Sequence, residues 1–180
     1  IGLDGRLPLV LVFGGSQGAQ SINKSITGII KNNKNINYQI IWAAGPEEYE
    51  KVKEKIDFTK LKNVKIFPYI YDMEEIMNIA DLVVARSGAM TVTEIENVGK
   101  PAIFIPFPYA AENHQEYNAR ALEKKGAAKV ILDKELKEEL LNDNIINLTK
   151  DKQKLIEMGK IANKMAIKNV EDKIYKEIFD

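Results

Sequence analysis

The sequence predicts an α/β fold: a Rossmann-like, doubly wound parallel sheet of about six strands with a helical C-terminal tail. Three observations predict it. Short apolar runs rich in Val, Ile and Phe recur along the chain without clean apolar–polar alternation, the pattern of strands buried on both faces. Segments of helical periodicity separate them, and β–α repetition of this kind produces parallel strands joined by right-handed crossovers. The turns after the strands hold glycines, prolines and carboxamides, which is where an open α/β sheet binds its ligands.

In chain order, strands are expected at 8–13 (around LVLVF), 39–43 (QIIWA), 64–68 (VKIFP), 82–85 (LVVA), 102–106 (AIFIP) and 128–132 (AKVIL). Helices are expected near 18–31, 46–56, 73–79, 90–98, 114–125 and 134–148. The Lys/Asn-rich stretch at 31–35 reads as a solvated loop after the first helix. From Asp151 the pattern is wholly helical. Leu155, Met158, Ala162 and Met165 share one helical face, and Val170, Ile174 and Ile178 another. The expected organisation is a domain over 1–150 and C-terminal helices over 151–180, which pack on it and on a domain outside this sequence. The non-methionine start at Ile1 suggests a piece of a longer protein.

Composition narrows the function classes. The chain has 180 residues with 26 basic and 26 acidic side chains, so no global field recruits nucleic acid or anionic lipid. There is no cysteine, which removes disulfides, thiolate catalysis and cysteine metal sites. A single histidine, His114, rules out a multi-histidine metal site. No apolar run approaches the ~20 residues that cross a bilayer. No Asp-x-Asp is present to hold a divalent metal on a diphosphate.

Four turns carry the candidate chemistry. GGSQGAQSIN (14–23) follows the first strand. Its glycines permit close backbone approach, Ser16 offers a hydroxyl, and the amides from Ser16 to Ala19 suit a phosphate at a helix N-terminus. It matches neither G-x-G-x-x-G nor the P-loop, and a tight turn with Ser16 as N-cap is the alternative. ARSGAMTVTE (85–94) follows the fourth strand. Glu94 either accepts hydrogen bonds from a vicinal diol or closes a capping box begun by Thr91. Arg86 either helps neutralise a diphosphate or is structural. PFPYAAENHQEYNAR (106–120) places Gln115 and Asn118 three apart on one helical face, where carboxamides suit sugar hydroxyls, with His114 beside them as ligand or cap. FPYIYDMEEIM (67–77) could offer an apolar slot with free backbone groups to a flat base, or be core.

Together these stretches resemble the donor-binding half of the MurG family, glycosyltransferases that add N-acetylglucosamine to undecaprenyl-linked muramyl-pentapeptide in bacterial cell-wall synthesis. The resemblance runs over roughly 7–132. It rests on GGSQGAQSIN (14–23), YIYDM (69–73), ARSGAMTVTE (85–94), GKPAIFIPFPYAAENHQEYNA (99–119) and KKGAA (124–128) in this order and spacing. It implies that Ser16, with Gly15, Gln17 and Gly18, holds the diphosphate. Ile70 would meet uracil through its backbone, with Tyr69 beside it. Ala89, Met90 and Thr91 would line the phosphate and ribose region, and Glu94 would take the ribose hydroxyls. Gln115 and Asn118 would read N-acetylglucosamine, with His114 near the sugar.

The resemblance further implies one half of a two-domain GT-B enzyme. UDP-N-acetylglucosamine is its substrate, with no tightly bound cofactor and no metal demanded by a visible motif. The partner domain carries the glycine-rich acceptor loop, the candidate general base and the membrane-facing patch. None of these occurs in this sequence, nor does the arginine expected in the interdomain linker. No catalytic residue is therefore assigned here, and the chain alone is expected to bind donor without turning it over. The parent would be cytoplasmic and peripheral on the inner face of the plasma membrane, and would reach the lipid-linked acceptor through the other domain. Three rival readings remain: a stand-alone donor subunit of a two-chain N-acetylglucosamine transferase, a non-catalytic nucleotide-sugar sensor, and a nicotinamide oxidoreductase. The failed dinucleotide fingerprint counts against the last.

Overall fold

The computed structural model describes residues 3, 5–32, 36–167, 175, 177 and 178. All six expected strands form, as β1 (Leu9–Phe13), β2 (Gln39–Ala43), β3 (Val64–Phe67), β4 (Leu82–Ala85), β5 (Ala102–Phe104) and β6 (Ala128–Val130). They make one sheet in the order β3-β2-β1-β4-β5-β6, and every adjacent pair is parallel. β1, β2, β4 and β5 are buried along their whole length, as their unbroken apolar runs require. The edge strands β3 and β6 are only partly buried, because each has a neighbour on one side.

Among the described residues, seven helices connect and cover the sheet: α1 (Gln20–Asn32), α2 (Pro46–Lys53), α3 (Met73–Ile79), α4 (Ala89–Val98), α5 (His114–Lys125), α6 (Glu138–Thr149) and α7 (Lys152–Met165). Two apolar clusters lie on the two faces. One gathers Ile22, Ile26 and Ile29 of α1 and Leu141 and Ile145 of α6 around Val10, Ile40 and Trp42. The other gathers Ile95 of α4 and Leu122 of α5 around Leu11, Val83 and Phe104. The expected face of α7 is the buried one: Leu155 and Met158 join the first cluster and Ala162 the second. Asn163 Nδ2 also donates to Asn97 O at 2.9 Å, at the end of α4. Val170 and Ile174 lie outside the described residues.

Several expected boundaries are corrected. α1 starts at Gln20 rather than 18 and runs to Asn32, one residue past the expected helix end at 31 and into the expected loop; 33–35 lie outside the described residues. α2 stops at Lys53. α4 begins at Ala89, one residue early. α6 begins at Glu138, because Asp133–Glu135 form a 3₁₀ turn instead.

Candidate functional site

The strand order reverses between β1 and β4, and a doubly wound sheet binds ligands at this switch point, beyond the carboxyl ends of its strands. A cleft of about 530 Å³ opens there. Gly14, Gly15 and Gly18 line it from the turn after β1, Gly88 and Thr91 from α4's start, Phe107 to Tyr109 and Gln115 from the segment after β5. A second hollow of about 540 Å³ lies at the opposite end of the sheet, between α7 and Gly99–Pro101, away from every turn the sequence singled out.

The turn after β1 is closed by Gly18 N donating to Gly15 O at 3.0 Å, which puts both glycines at positive φ. Ser16 is therefore no N-cap: it stands four residues ahead of α1, exposed with Gln17. The expected row of free amides is also modified, since Gly18 N is spent in the turn. Among the described residues the amides of Ser16, Gln17 and Ala19 have no protein acceptor. The turn rests on the end of β2: a Cβ on Gly18 would stand 2.1 Å from Ala44 O, and one on Gly45 would stand 2.3 Å from Gln17 O.

The start of α4 decides the status of Glu94. Gly88 is the N-cap, with no side-chain cap. Thr91 is therefore the third helical residue and Glu94 the sixth, too deep in the helix to close its end, so the capping box does not form. Glu94 is exposed, in a groove with Met73 and Met77 of α3 and Asn97 of its own helix. Its carboxylate has no protein partner among the described residues. The amides of Ala89, Met90 and Thr91 are likewise free at an uncapped helix start, an arrangement that favours an anion.

Arg86 is built in. One guanidinium nitrogen donates to Ile105 O (3.0 Å), Pro106 O (2.9 Å) and Asp133 Oδ2 (2.6 Å), and the other to Ser21 Oγ (3.0 Å). Ser21 Oγ in turn donates to Asp133 Oδ2 at 2.6 Å. The Phe107 ring stacks against the guanidinium, 5.5 Å from its centroid. The arginine thus joins the start of α1 to the turns after β4, β5 and β6, and its charge is matched by Asp133.

In the segment after β5 the fold sets which atoms face outward. Phe107 N donates to Gln115 Oε1 at 3.0 Å, leaving Nε2 without an acceptor among the described residues. Asn118 Nδ2 donates to Ser87 O at 3.1 Å, leaving Oδ1 without a donor among the described residues. Ser87 Oγ donates to Gln115 O at 2.7 Å and pins α5 to the β4 turn. His114 is exposed, with Nδ1 against Ala111 O at 2.8 Å. The two preceding residues, Glu112 and Asn113, both have left-handed backbone (φ 51° and 55°), a strained entry that aims the start of α5.

After β3, the Ile70 side chain is buried while its amide and carbonyl have no partner among the described residues. Tyr69 is half-exposed beside it, in edge contact with the Tyr71 ring at 5.1 Å. Met90 and Ala89 are exposed at the helix start. The structure thus places Gly15, Gly18, Arg86, Thr91 and Gln115 on one cleft. Ser16 and Gln17 stand on the same turn as the glycines but not on the cleft wall, Glu94 lies in a separate groove between α3 and α4, and Ile70 lines neither. Sequence reasoning missed Ser21, Asp133 and Asn23, whose roles depend on partners distant in the chain. Among the described residues no acidic or histidine cluster could hold a metal ion, and no helix is long and apolar enough to cross a membrane.

Comparison with known proteins gives these turns a family. Residues 9–174 match the glycosyltransferase family 28 C-terminal domain. A protein of Acetivibrio thermocellus, named UDP-N-acetylglucosamine–N-acetylmuramyl-(pentapeptide) pyrophosphoryl-undecaprenol N-acetylglucosamine transferase, is 45% identical across the whole of this chain, which covers 49% of that protein. The protein of the same name from Listeria monocytogenes is 42% identical over 91% of this chain and 46% of its own. The crystal structure of Acinetobacter baumannii MurG superposes with a TM-score of 0.86 at 30% identity, over 96% of this chain and 50% of that one. A UDP-GlcNAc 2-epimerase from Neisseria meningitidis shares the fold alone, at 14% identity and a TM-score of 0.66. The chain spans about half the length of the curated relatives it matches.

Proposed function

The chain belongs to the glycosyltransferase family 28 C-terminal domain family, and on that premise we propose that it is the donor-binding half of an inverting N-acetylglucosaminyltransferase. The substrate is UDP-N-acetylglucosamine, and the parent reaction transfers N-acetylglucosamine to undecaprenyl-diphospho-muramoyl-pentapeptide. One observation carries the reading: the groups that the sequence resemblance assigns to the donor are largely groups without protein partners among the described residues.

Each of those groups suits a part of the donor. The amide and carbonyl of Ile70 complement the donor–acceptor edge of uracil, with Tyr69 beside it. Glu94 accepts from the ribose diol. The free amides of Ala89, Met90 and Thr91, with Ser16 and the turn from Gly15 to Gly18, take the diphosphate. Gln115 Nε2 donates to one sugar hydroxyl while Asn118 Oδ1 accepts from another, with His114 and Gln17 close by. Arg86 acts through the turns it joins rather than on the diphosphate, because Asp133 already holds its charge.

In the parent reaction the acceptor hydroxyl oxygen bonds to the anomeric carbon from the face opposite UDP, its proton passes to a general base on the other half, and the bond to the diphosphate oxygen breaks to release UDP. Negative charge then grows on the diphosphate. Amides fixed at an uncapped helix start stabilise that charge without reorganising and without a metal. The general base and the acceptor site belong to the other half of the parent. That half would also hold the protein, as a peripheral cytoplasmic enzyme, on the inner face of the bacterial plasma membrane.

Gln115→Ala tests the placement. It is expected to weaken UDP-N-acetylglucosamine about tenfold, because it removes the donor to a sugar hydroxyl, and to leave UDP within about twofold. Calorimetric titration with both ligands checks this; equal losses would remove Gln115 from the sugar site.

A further inference from the structure

Asn23 is the fourth residue of α1, is 2% exposed, and does not line the cleft. Both ends of its carboxamide are engaged inside the protein. Nδ2 donates to Ala44 O at 2.8 Å, and Oδ1 accepts from Trp42 Nε1 at 2.9 Å. Trp42 and Ala44 are fully buried. The carbonyl that Asn23 holds is the one against which Gly18 fits, with no room for a Cβ between them, and Gly45 fits against Gln17 in the same way. On its other side this segment is tied to the turn after β3: Ala44 N donates to Phe67 O at 3.0 Å, and Gly45 N to Pro68 O at 3.1 Å, two residues before Ile70. Ala44–Gly45 is therefore a floor shared by the phosphate turn and the base turn, and Asn23 fastens that floor to α1.

We infer that Asn23 is a positioning residue for the nucleotide: through Ala44 it sets the height of the Gly15–Gly18 turn and, through Pro68, the approach to Ile70. The inference deepens the donor-binding reading and rests on it. Without the carboxamide, a buried carbonyl and a buried indole N–H both lose their partners, and the cheapest relief is for Ala44–Gly45 to shift toward water. The phosphate turn, packed on that segment with no spare volume, has to follow.

Two variants separate positioning from plain structural support. Asn23→Ala removes both bonds, whereas Trp42→Phe removes the indole donor and leaves the tie to Ala44 intact. Both are expected to lower thermal stability. Only Asn23→Ala is expected to weaken UDP, about tenfold, and to shift the amide resonances of Gly18 and Gly45 and speed their hydrogen exchange in ligand-free protein. Trp42→Phe is expected to hold UDP within about twofold, with both amides in place. Asn23→Asp keeps an acceptor for Trp42 and loses the donor to Ala44, so it should follow Asn23→Ala, and it stands in if the alanine variant does not fold. A folded Asn23 variant with unmoved Gly18 and Gly45 amides would overturn the inference, as would an equal loss of UDP affinity in Trp42→Phe. If the wild-type chain shows no UDP binding, the donor reading fails, and the two amides alone decide the tie: displaced amides support it and unmoved ones overturn it.

Discussion

Glu94→Ala is expected to weaken UDP binding on the order of 100-fold while leaving the melting temperature within about 2 °C of wild type. Both halves of that expectation come from the position of Glu94 in α4. As the sixth residue of the helix, exposed and without a protein partner among the described residues, it holds nothing in the fold together. Surface groups of this kind usually change stability by no more than about 0.5 kcal/mol. To a ribose, however, one carboxylate offers two charge-assisted hydrogen bonds, each worth roughly 1.5–3 kcal/mol. A cycle with 2′-deoxy-UDP isolates the contact. The wild-type chain should distinguish UDP from its 2′-deoxy form, and Glu94→Ala should not, because one partner is already gone. Measured affinities that are equal in wild type and variant, with the deoxy discrimination intact, would leave Glu94 an ordinary surface residue.

Gly18→Ala is expected to lower the melting temperature by roughly 5–10 °C and to abolish measurable UDP binding. Two costs coincide at this residue. Its φ of 80° is left-handed, which costs an L-residue with a Cβ about 1–2 kcal/mol. The new methyl would also stand 2.1 Å from a backbone carbonyl, Ala44 O, which is itself held by Asn23 and cannot swing aside as a side-chain end would. Gly15→Ala is the control. Its φ of 90° carries the first cost, but nothing lies within 4 Å of its Cβ position. Thermal unfolding should therefore rank Gly18→Ala well below Gly15→Ala. Equal melting temperatures would show that the turn does not rest on β2 as described.

Much of the fold was legible because β1, β2, β4 and β5 are short apolar runs that only a doubly covered parallel sheet can bury. The ends of elements were less legible because tertiary bonds decide them. The run AIFIP reads as strand to Pro106, yet the carbonyls of Ile105 and Pro106 turn to Arg86 instead of a neighbouring strand. The helix expected from Lys134 starts late because Asp133 is drawn to Arg86 and Ser21, across 47 and 112 residues of chain. At the site, residue types alone left Glu94 between a helix cap and a diol acceptor. A helix start three residues earlier than the capping box requires removes the first option. The polarity of Gln115 and Asn118 was not readable at all, since it follows from which backbone groups of Phe107 and Ser87 lie opposite. Asn23 was visible as a letter in a motif, but its role needs Trp42 and Ala44, which the fold brings to it from β2.

On the proposed reading, the donor site is built within this chain. Calorimetric titration with UDP-N-acetylglucosamine, UDP, UDP-N-acetylgalactosamine and NAD tests it most directly. One site per chain is expected for the uridine ligands, tightest for UDP-N-acetylglucosamine, with no heat from NAD. Binding of NAD in preference to UDP, or no binding of any uridine ligand, would contradict it.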